Sequence, residues 1–223
     1  MNAYTSATPV PSAAEKMDGI YRRQRFFYDI TRRFYLLGRD RLIACLDVPP
    51  GGTVLEIGCG TARNLIQAAH RYPNMRGFGI DVSTEMLRTA RNSVIHAGVG
   101  ERLILAEGDA TKFKPQECFG VETFDRVFIS YSLSMIPSWR DALNNAMECV
   151  SPGGALHIAD FGNFAGYPTW VRWLQHKWLA RFSVTPIPGL PEKLEGIARG
   201  RGIEATTARL YGGYAILASL KRP

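Results

Sequence analysis

The stretch Val54-Leu55-Glu56-Ile57-Gly58-Cys59-Gly60-Thr61-Ala62 decides the fold of this chain. Its first four residues predict a short buried strand, and the breaker Pro49-Pro50-Gly51-Gly52 marks where that strand begins. The glycines predict a tight turn that opens a helix, because a backbone that turns sharply and admits a ligand has no room for a Cβ. A strand that runs through a glycine turn into a helix is typical of a parallel α/β sheet.

The chain after this stretch continues to alternate strand and helix signals, which predicts a doubly wound, mostly parallel sheet of seven strands. Ser83 is a good N-cap for a helix that runs to residue 96, with Gly98 as its stop. The predicted strands are 53–57, 76–81, 103–107, 124–130, 155–160, 203–209 and 214–220. The other predicted helices are 62–70, 140–150 and 191–199. The last two strands are expected to form an antiparallel pair.

Composition and local patterning divide the chain into three parts. Residues 1–16 are rich in Ser, Thr, Pro and Ala and lack the pattern of a signal peptide, which predicts a flexible tail. Residues 17–50 predict a helical lid broken near Gly38, and residues 51–223 predict the main domain, with an insertion at 161–190. The four cysteines form no CxxC pair, which argues against a disulfide framework or a metal site and favours the cytoplasm.

Positive charge lies in the flanks of the chain rather than in its centre. Residues 1–50 carry eight Lys/Arg against five Asp/Glu, residues 51–165 ten against twelve, and residues 166–223 nine against three. A basic rim is suited to an anionic membrane surface, a nucleic acid or an acidic substrate, and a merely solvated rim is an equal alternative.

Three carboxylates are predicted to converge on one crevice. Glu56, Asp81 and Asp109 each stand at or near the end of a strand, and such ends meet at the ligand-binding edge of a parallel sheet. Glu56 would repel a pyrophosphate, and Gly58-x-Gly60-x-Ala62 is not the dinucleotide spacing, so a nicotinamide-dependent dehydrogenase is disfavoured. The carboxylates are suited to a ligand with an ammonium or sulfonium charge, with Asp81 on ribose hydroxyls and Asp109 on an adenine amino group.

These motifs resemble those of class I S-adenosylmethionine-dependent methyltransferases. The resemblance covers about residues 51–219 and implies a Rossmann-like sheet with an antiparallel last strand and S-adenosylmethionine as cofactor. Ala62 departs from the family, which often has a third glycine there. The cofactor-binding residues predicted on this basis are Glu56, Gly58, Cys59, Gly60, Asp81, Val82, Met86, Asp109, Ala110 and Ser130.

The lid segment carries two stripes with a seven-residue repeat. One consists of Tyr21, Tyr28 and Tyr35, and the other of Arg25, Arg32 and Arg39. On a helix over the crevice, these rings and guanidinium groups would lie near a cationic methyl donor and its substrate. A packed amphipathic helix with a solvated arginine face is the alternative.

The insertion holds three of the four tryptophans. On a helical wheel, apolar side chains and two cations share one broad face, namely Trp170, Trp173, Leu174, Lys177, Trp178, Arg181 and Phe182. This mixture favours a membrane interface or an amphiphilic ligand, with Trp170 as a substrate-binding residue, and a helix packed on the domain is equally open.

The flanks also resemble the bacterial betaine-lipid N-methyltransferases of the BtaB type, over nearly the whole chain after about Met17. The stretches that carry this resemblance are Tyr28-Asp29, residues 35–43 (YLLGRDRLI), residues 130–137 (SYSLSMIP), Asp160-Phe161-Gly162 and residues 178–186 (WLARFSVTP). The resemblance implies three methylations of diacylglyceryl-homoserine to diacylglyceryl-N,N,N-trimethylhomoserine. It also implies a companion enzyme that makes the substrate lipid, and a cytoplasmic protein that meets the inner membrane peripherally.

Methyl transfer to an amine needs close positioning and removal of one proton. The predicted catalytic residues, which would take this proton or orient the amine, are Tyr28, Asp29 and Tyr131. His157 is a further candidate, although a satisfied core histidine is favoured there. A lid arginine would hold the substrate carboxylate.

Other functions remain open at the level of the sequence. The substrate could be another amphiphile, such as phosphatidylethanolamine or a quinone precursor, or the chain could be a non-catalytic adenosylmethionine-binding module. Nucleic acid is disfavoured as a partner, because Ser130-Tyr131-Ser132-Leu133 stands where many amino-directed nucleic-acid methyltransferases have a [DN]-P-P-[YF] loop.

Overall fold

The computed structural model describes residues 36–223, and helices and strands are numbered within that range. The strands are β1 (Thr53–Ile57), β2 (Arg76–Asp81), β3 (Leu103–Glu107), β4 (Phe124–Ser130), β5 (Val150–Phe161), β6 (Glu204–Leu210) and β7 (Ala215–Lys221). The helices are α1 (Arg39–Ala44), α2 (Arg63–Arg71), α3 (Thr84–His96), α4 (Pro115–Phe119), α5 (Trp139–Glu148), α6 (Thr169–Ala180) and α7 (Leu190–Gly200).

The strands form one seven-stranded sheet in the order β3-β2-β1-β4-β5-β7-β6. Strand β7 runs antiparallel to both of its neighbours, and the pairs among β1 to β5 are parallel. The predicted doubly wound sheet with an antiparallel pair at its end is therefore confirmed. The strand order reverses between the neighbouring strands β1 and β4, and such sheets bind ligands in the crevice at the carboxyl ends of these strands.

Helices cover both faces of the sheet. One face packs against α1, α2, α3 and α6 through apolar side chains such as Leu42, Leu65 and Leu179. The other face packs against α5 and α7 through side chains such as Leu143 and Leu194. Successive side chains of a strand point to opposite faces of the sheet, so each buried strand contributes to both cores. This is why the sequences of these strands are continuous apolar runs.

The prediction for residues 140–150 and 155–160 is wrong in its boundaries. Helix α5 ends at Glu148, and β5 begins at Val150, so Pro152-Gly153-Gly154 lies within a strand rather than after a helix. The pairing of β4 with β5 shifts register between Phe124 and Arg126, so an irregularity in the ladder accommodates these breakers. Helix α4 was not predicted, because its five residues are too few to show a period.

Side chains from β4 and from the end of α2 hold α1 in place. Arg126 on β4 donates from Nε to the Leu46 carbonyl at 2.6 Å and from Nη2 to the Asp47 carbonyl at 2.6 Å. The Tyr72 hydroxyl donates to the Ile43 carbonyl at 3.0 Å. These bonds fix the segment that follows α1, and hence the position of the helix itself.

The predicted tail and most of the predicted lid lie outside the described residues. Within the described part, Gly38 has a φ of 87° directly before α1, where the lid was expected to break. Among residues 36–223, no helix has both the length and the apolar character that a bilayer crossing requires.

Candidate active site

A crevice opens at the carboxyl ends of β1, β2 and β4. Its walls come from the glycine turn after β1, the end of β2, the turn after β3 and the loop after β4. Eight of the ten predicted cofactor-binding residues line it, namely Gly58, Cys59, Gly60, Asp81, Val82, Asp109, Ala110 and Ser130. The sheet therefore brings together residues that are up to 72 positions apart in the chain.

Asp81 ties the walls of the crevice together. Its Oδ2 accepts the Gly60 N–H at 2.8 Å, and its Oδ1 accepts the Ser83 N–H at 3.0 Å. Ser83 in turn caps α3, since its Oγ accepts the Met86 N–H. The carboxylate thus fixes the glycine turn at the point where the end of β2 lines the crevice.

The turn after β1 requires glycine at position 58. Gly58 has a φ of 71°, and a Cβ there would lie 2.6 Å from both Cβ and Oγ of Ser132. The Ser132 hydroxyl donates to the Ile57 carbonyl at 3.0 Å, so the β4 loop is bonded directly to the end of β1. Ala62 adopts a φ of 60° at the position where the family often has glycine, which is an uncommon conformation for a residue with a Cβ.

Asp109 lies in the turn after β3. Its Oδ1 accepts the N–H and the hydroxyl of Thr111 at 2.9 and 2.8 Å. Asn145 on α5 donates to the carbonyls of Ala110 and Phe113, at 3.1 and 3.2 Å. Asn145 escaped the sequence analysis, because one amide within an amphipathic helix carries no distinguishing signal.

Glu56 and Met86 lie behind the crevice wall rather than on it. Glu56 is only 1% exposed, and its Oε1 accepts a hydrogen bond from Asn64 Nδ2 at 2.9 Å. Its Oε2 has no hydrogen-bond partner among the described residues. Burial, reinforced by the nearby Asp81, raises the pKa of Glu56 to about 8, although the bond from Asn64 lowers it. A cation in the crevice would stabilise the ionised carboxylate.

Other buried polar atoms at the crevice also lack partners within residues 36–223. They are Ser130 Oγ, Arg63 Nη1 and Asn64 Oδ1. Buried polar groups are rarely left unsatisfied, so this set indicates a polar ligand. S-adenosylmethionine fits it, because its hydroxyl, carboxylate and ammonium groups match acceptors and donors on the same walls. Arg63 and Asn64 were not predicted, although their place in the first turn after the glycine loop is a usable signal.

Tyr131 lines the crevice, yet its hydroxyl is already engaged. It donates to the Leu37 carbonyl, and the ring packs edge-on against Phe161 with centroids 4.7 Å apart. Burial, together with the nearby Asp160, raises the pKa of Tyr131 well above its usual value. The predicted role as a proton acceptor is therefore unfavourable, and the geometry favours a role in positioning.

Asp160, near the end of β5, holds the loop after β4 through a hydrogen bond. It is fully buried and accepts the Ser134 N–H at 3.0 Å and the Phe161 N–H at 2.7 Å. Burial raises the pKa of Asp160 to about 6, and the bonds from Ser134 and Phe161 limit that rise. Its residue type alone did not distinguish it from an ordinary strand-end aspartate.

Of the predicted substrate residues, the structure places only Arg39 at the crevice among those it describes. Arg39 is buried, and its Nε donates to the Leu36 carbonyl at 3.1 Å. Trp170 lies on α6, is 70% exposed and does not line the crevice. The remaining predicted catalytic and substrate residues lie outside the described residues, namely Tyr21, Arg25, Tyr28, Asp29, Arg32 and Tyr35.

His157 lies away from the crevice, on β5 opposite Ser219 of β7. Burial, with help from the nearby Arg126, lowers the pKa of His157 to about 4. The burial agrees with the expectation of a core histidine, but its Nε2 has no hydrogen-bond partner among the described residues, so the expected satisfied state is not found.

Comparisons with known proteins agree with the fold and the crevice. Residues 54–154 match a family model described as a methyltransferase domain. The chain is 26% identical over 186 residues to the ubiquinone/menaquinone biosynthesis C-methyltransferase UbiE of Cereibacter sphaeroides, covering 81% of this chain and 71% of that protein. It is 28% identical over 151 residues to the demethylmenaquinone methyltransferase of Bacillus cytotoxicus, covering 65% of this chain and 62% of that protein.

A solved structure shows the same architecture. The S-adenosylmethionine-dependent methyltransferase from Aquifex aeolicus superposes with a TM-score of 0.64 at 18% identity, covering 92% of this chain and 97% of that one. The sheet order and the crevice give this chain the fold of the class I methyltransferases. Together with the methyltransferase-domain match, they identify it as an S-adenosylmethionine-dependent methyltransferase, with S-adenosylmethionine as its cofactor.

Proposed function

We propose that the enzyme methylates the amine of diacylglyceryl-homoserine three times, giving the betaine lipid diacylglyceryl-N,N,N-trimethylhomoserine. S-adenosylmethionine, when bound, supplies an electrophilic methyl group on a sulfonium. Support comes first from the stretches that resemble the BtaB-type enzymes, since residues 36–39 and 130–137 contribute to the crevice walls. These stretches lie where a substrate would approach the donor.

The observation that carries this proposal is the presence of two guanidinium groups in one crevice. Arg39 reaches it from α1 and Arg63 from the first turn of α2. The methyl donor brings one carboxylate, and a homoserine head group brings a second one. Arginine is the residue best suited to bind a carboxylate, so each would have a partner. A quinone precursor brings no carboxylate for the second arginine to bind.

An apolar groove adjoins the crevice and is suited to the tail of an amphiphile. Met135, Ile136 and Pro137 line both the crevice and the groove. The groove continues along Trp139 and Ile187. A head group in the crevice would therefore leave its hydrocarbon against apolar side chains, where its burial is favourable.

The residues of this chain contribute mainly by positioning. An amine held at about 3–3.5 Å from the methyl group, in a site that excludes water, needs little further assistance. Because the Tyr131 hydroxyl is engaged, we assign the removal of the amine proton to Tyr28 or Asp29. Tyr131 and Asp160 would instead keep the β4 loop in its conformation. A two-chain lipid stays in its bilayer, so the enzyme would work peripherally at the inner membrane, after a companion enzyme that makes the substrate lipid.

Product analysis tests the proposal. Purified enzyme is incubated with labelled donor and, separately, with diacylglyceryl-homoserine, phosphatidylethanolamine and demethylmenaquinol, and the products are resolved by mass. We expect mono-, di- and trimethylated homoserine lipid. Asp81→Asn is the control for donor-dependent activity, because the amide has only one acceptor oxygen for the two N–H groups, of Gly60 and Ser83, that bond to the carboxylate. Methylation of demethylmenaquinol alone would refute the proposal.

Methylation of a quinone precursor is the second candidate, because relatives such as UbiE carry that activity in their names. Arg39→Leu separates the two candidates. The homoserine lipid reaction should lose about tenfold or more in kcat/KM through a lost charge-assisted contact. A quinone reaction should change little, provided that calorimetry shows unaltered donor affinity.

A further inference from the structure

Helix α6 presents an unusual apolar surface to solvent. Trp170 is 70% exposed, Trp173 59% and Leu174 55%. The spacing of these three residues places them on one face, within two turns of one helix. Among the described residues, the other exposed large apolar side chains are dispersed over α3, β3 and the turn before β7.

The opposite face of α6 packs on the domain and thereby fixes the orientation of the helix. Leu179 is buried in the core, and the Trp178 ring lies edge-on to the Phe182 ring with centroids 5.1 Å apart. The helical wheel had grouped these last two rings with the outer face, but the structure packs both of them against the core. The outward tryptophans are therefore held outward by packing.

Cations accompany the outward tryptophans. Lys177 lies on the same face, with its Nζ 4.0 Å from the centroid of the Trp173 ring, and Arg181 follows one turn later. No Asp or Glu occurs from residue 161 to residue 191. Tryptophan and leucine flanked by lysine and arginine are the composition of helices that lie in the interface of an anionic bilayer.

We propose that this α6 surface, formed by Trp170, Trp173, Leu174 and Lys177, docks the enzyme on an anionic lipid bilayer. The charge of the segment complements acidic phospholipids, and an exposed leucine beside exposed tryptophans is suited to acyl chains more than to nucleic-acid bases. The inference rests on the proposed function only in that it gives the enzyme a reason to meet a bilayer.

The surface also lies on the substrate side of the molecule. The segment after α6 returns to the crevice loop, where the Thr185 N–H donates to the Ser134 carbonyl at 3.0 Å. Residues 183–188 then form one wall of the apolar groove. Docking through α6 would therefore place the groove next to the lipid from which a substrate is drawn.

Vesicle binding tests the inference without any turnover. The full chain is mixed with vesicles of phosphatidylcholine, or of phosphatidylcholine with phosphatidylglycerol, and bound protein is measured by flotation and by the blue shift of tryptophan fluorescence. We expect binding to the anionic vesicles. The double variant Trp170→Ala/Trp173→Ala should weaken it by about tenfold or more, and Lys177→Ala by about fivefold.

Ile95→Ala is the matched control, because Ile95 is 69% exposed on α3, away from α6. It should leave vesicle binding unchanged, and circular dichroism should show all variants folded. Equal binding by the tryptophan variants, or binding to RNA oligonucleotides but not to vesicles, would overturn the inference. So would a gel-filtration shift showing that the same tryptophans join two copies of the chain. None of these outcomes depends on which lipid is methylated.

Discussion

At the scale of single residues, the most informative group is the buried carboxyl of Glu56. It stands behind the crevice with one oxygen bonded to Asn64 and the other without a partner among the described residues. Ionisation of this carboxyl costs free energy because the group is buried, and a cation bound in the crevice would lower that cost. A carboxyl behind the crevice wall would therefore respond to a cation bound in front of it.

This carboxyl should make stability depend on pH. Its pKa is raised from 4.5 to about 8, so the ligand-free folded protein keeps a proton that the unfolded chain releases. The contribution of Glu56 to the free energy of unfolding therefore falls as pH rises from 4.5 to about 8. Glu56→Gln should remove that fall, as urea unfolding across this pH range would show. The exposed Glu101→Gln variant is the control, and an identical pH dependence for Glu56→Gln and the parent protein would contradict the prediction.

Prediction from sequence works best for residues whose role needs a particular backbone. Gly58, Asp81 and Asp109 follow strands at regular places, and all three line the crevice. Asn145 escaped, and Asp160 was noted only for a resemblance and given no role, because both support the site through hydrogen bonds across the fold, which one sequence does not reveal. The role of Tyr131 was similarly inaccessible, since its hydroxyl is engaged by a carbonyl 94 residues away.

At the scale of elements, the glycine turn and the β4 loop behave as one unit. They touch at Gly58 and Ser132, and a side chain at position 58 would separate them. Strands β1 to β4 could be predicted to the residue, because they are short apolar runs between clear breakers. The start of β5 could not, since the irregular ladder that admits Pro152 depends on its partner strand.

Two glycine variants separate backbone strain from this contact. Gly58→Ala and Gly98→Ala both place an alanine at positive φ, 71° and 68°, which costs about 1 kcal/mol in either case. Only at Gly58 would the new Cβ meet another residue, since nothing lies within 4 Å at Gly98. Calorimetry with S-adenosylhomocysteine should therefore show lost affinity for Gly58→Ala alone. The clash should also lower the free energy of unfolding of this variant by about 1–3 kcal/mol more than in Gly98→Ala. Equal effects of the two variants would disprove a specific role for this contact.

At the scale of the whole molecule, the distribution of charge and the position of the crevice both favour an approach to lipid from the side of α6. The central residues 51–165 hold ten Lys/Arg against twelve Asp/Glu and form the cofactor crevice, while residues 166–223 hold nine against three. The crevice opens at the carboxyl edge of the sheet, and the basic, tryptophan-rich α6 leads into the loop that borders it. If α6 binds the anionic bilayer and the crevice carries out methyl transfer, ionic strength should affect the binding to the bilayer and not the methyl transfer.

The salt dependence of turnover tests this division. The Debye length falls from about 30 Å at 0.01 M salt to about 8 Å at 0.15 M, so attraction between the basic segment and an anionic bilayer should weaken across that range. Turnover of the homoserine lipid in phosphatidylglycerol-containing vesicles should then drop several-fold, while turnover of the same lipid in uncharged detergent micelles should change little. Lys177→Ala should flatten the vesicle curve, because it removes one cation from the α6 surface. The same salt response in vesicles and micelles would show instead that the basic segment is only a solvated rim, and that the positive charge of this enzyme serves no encounter with lipid.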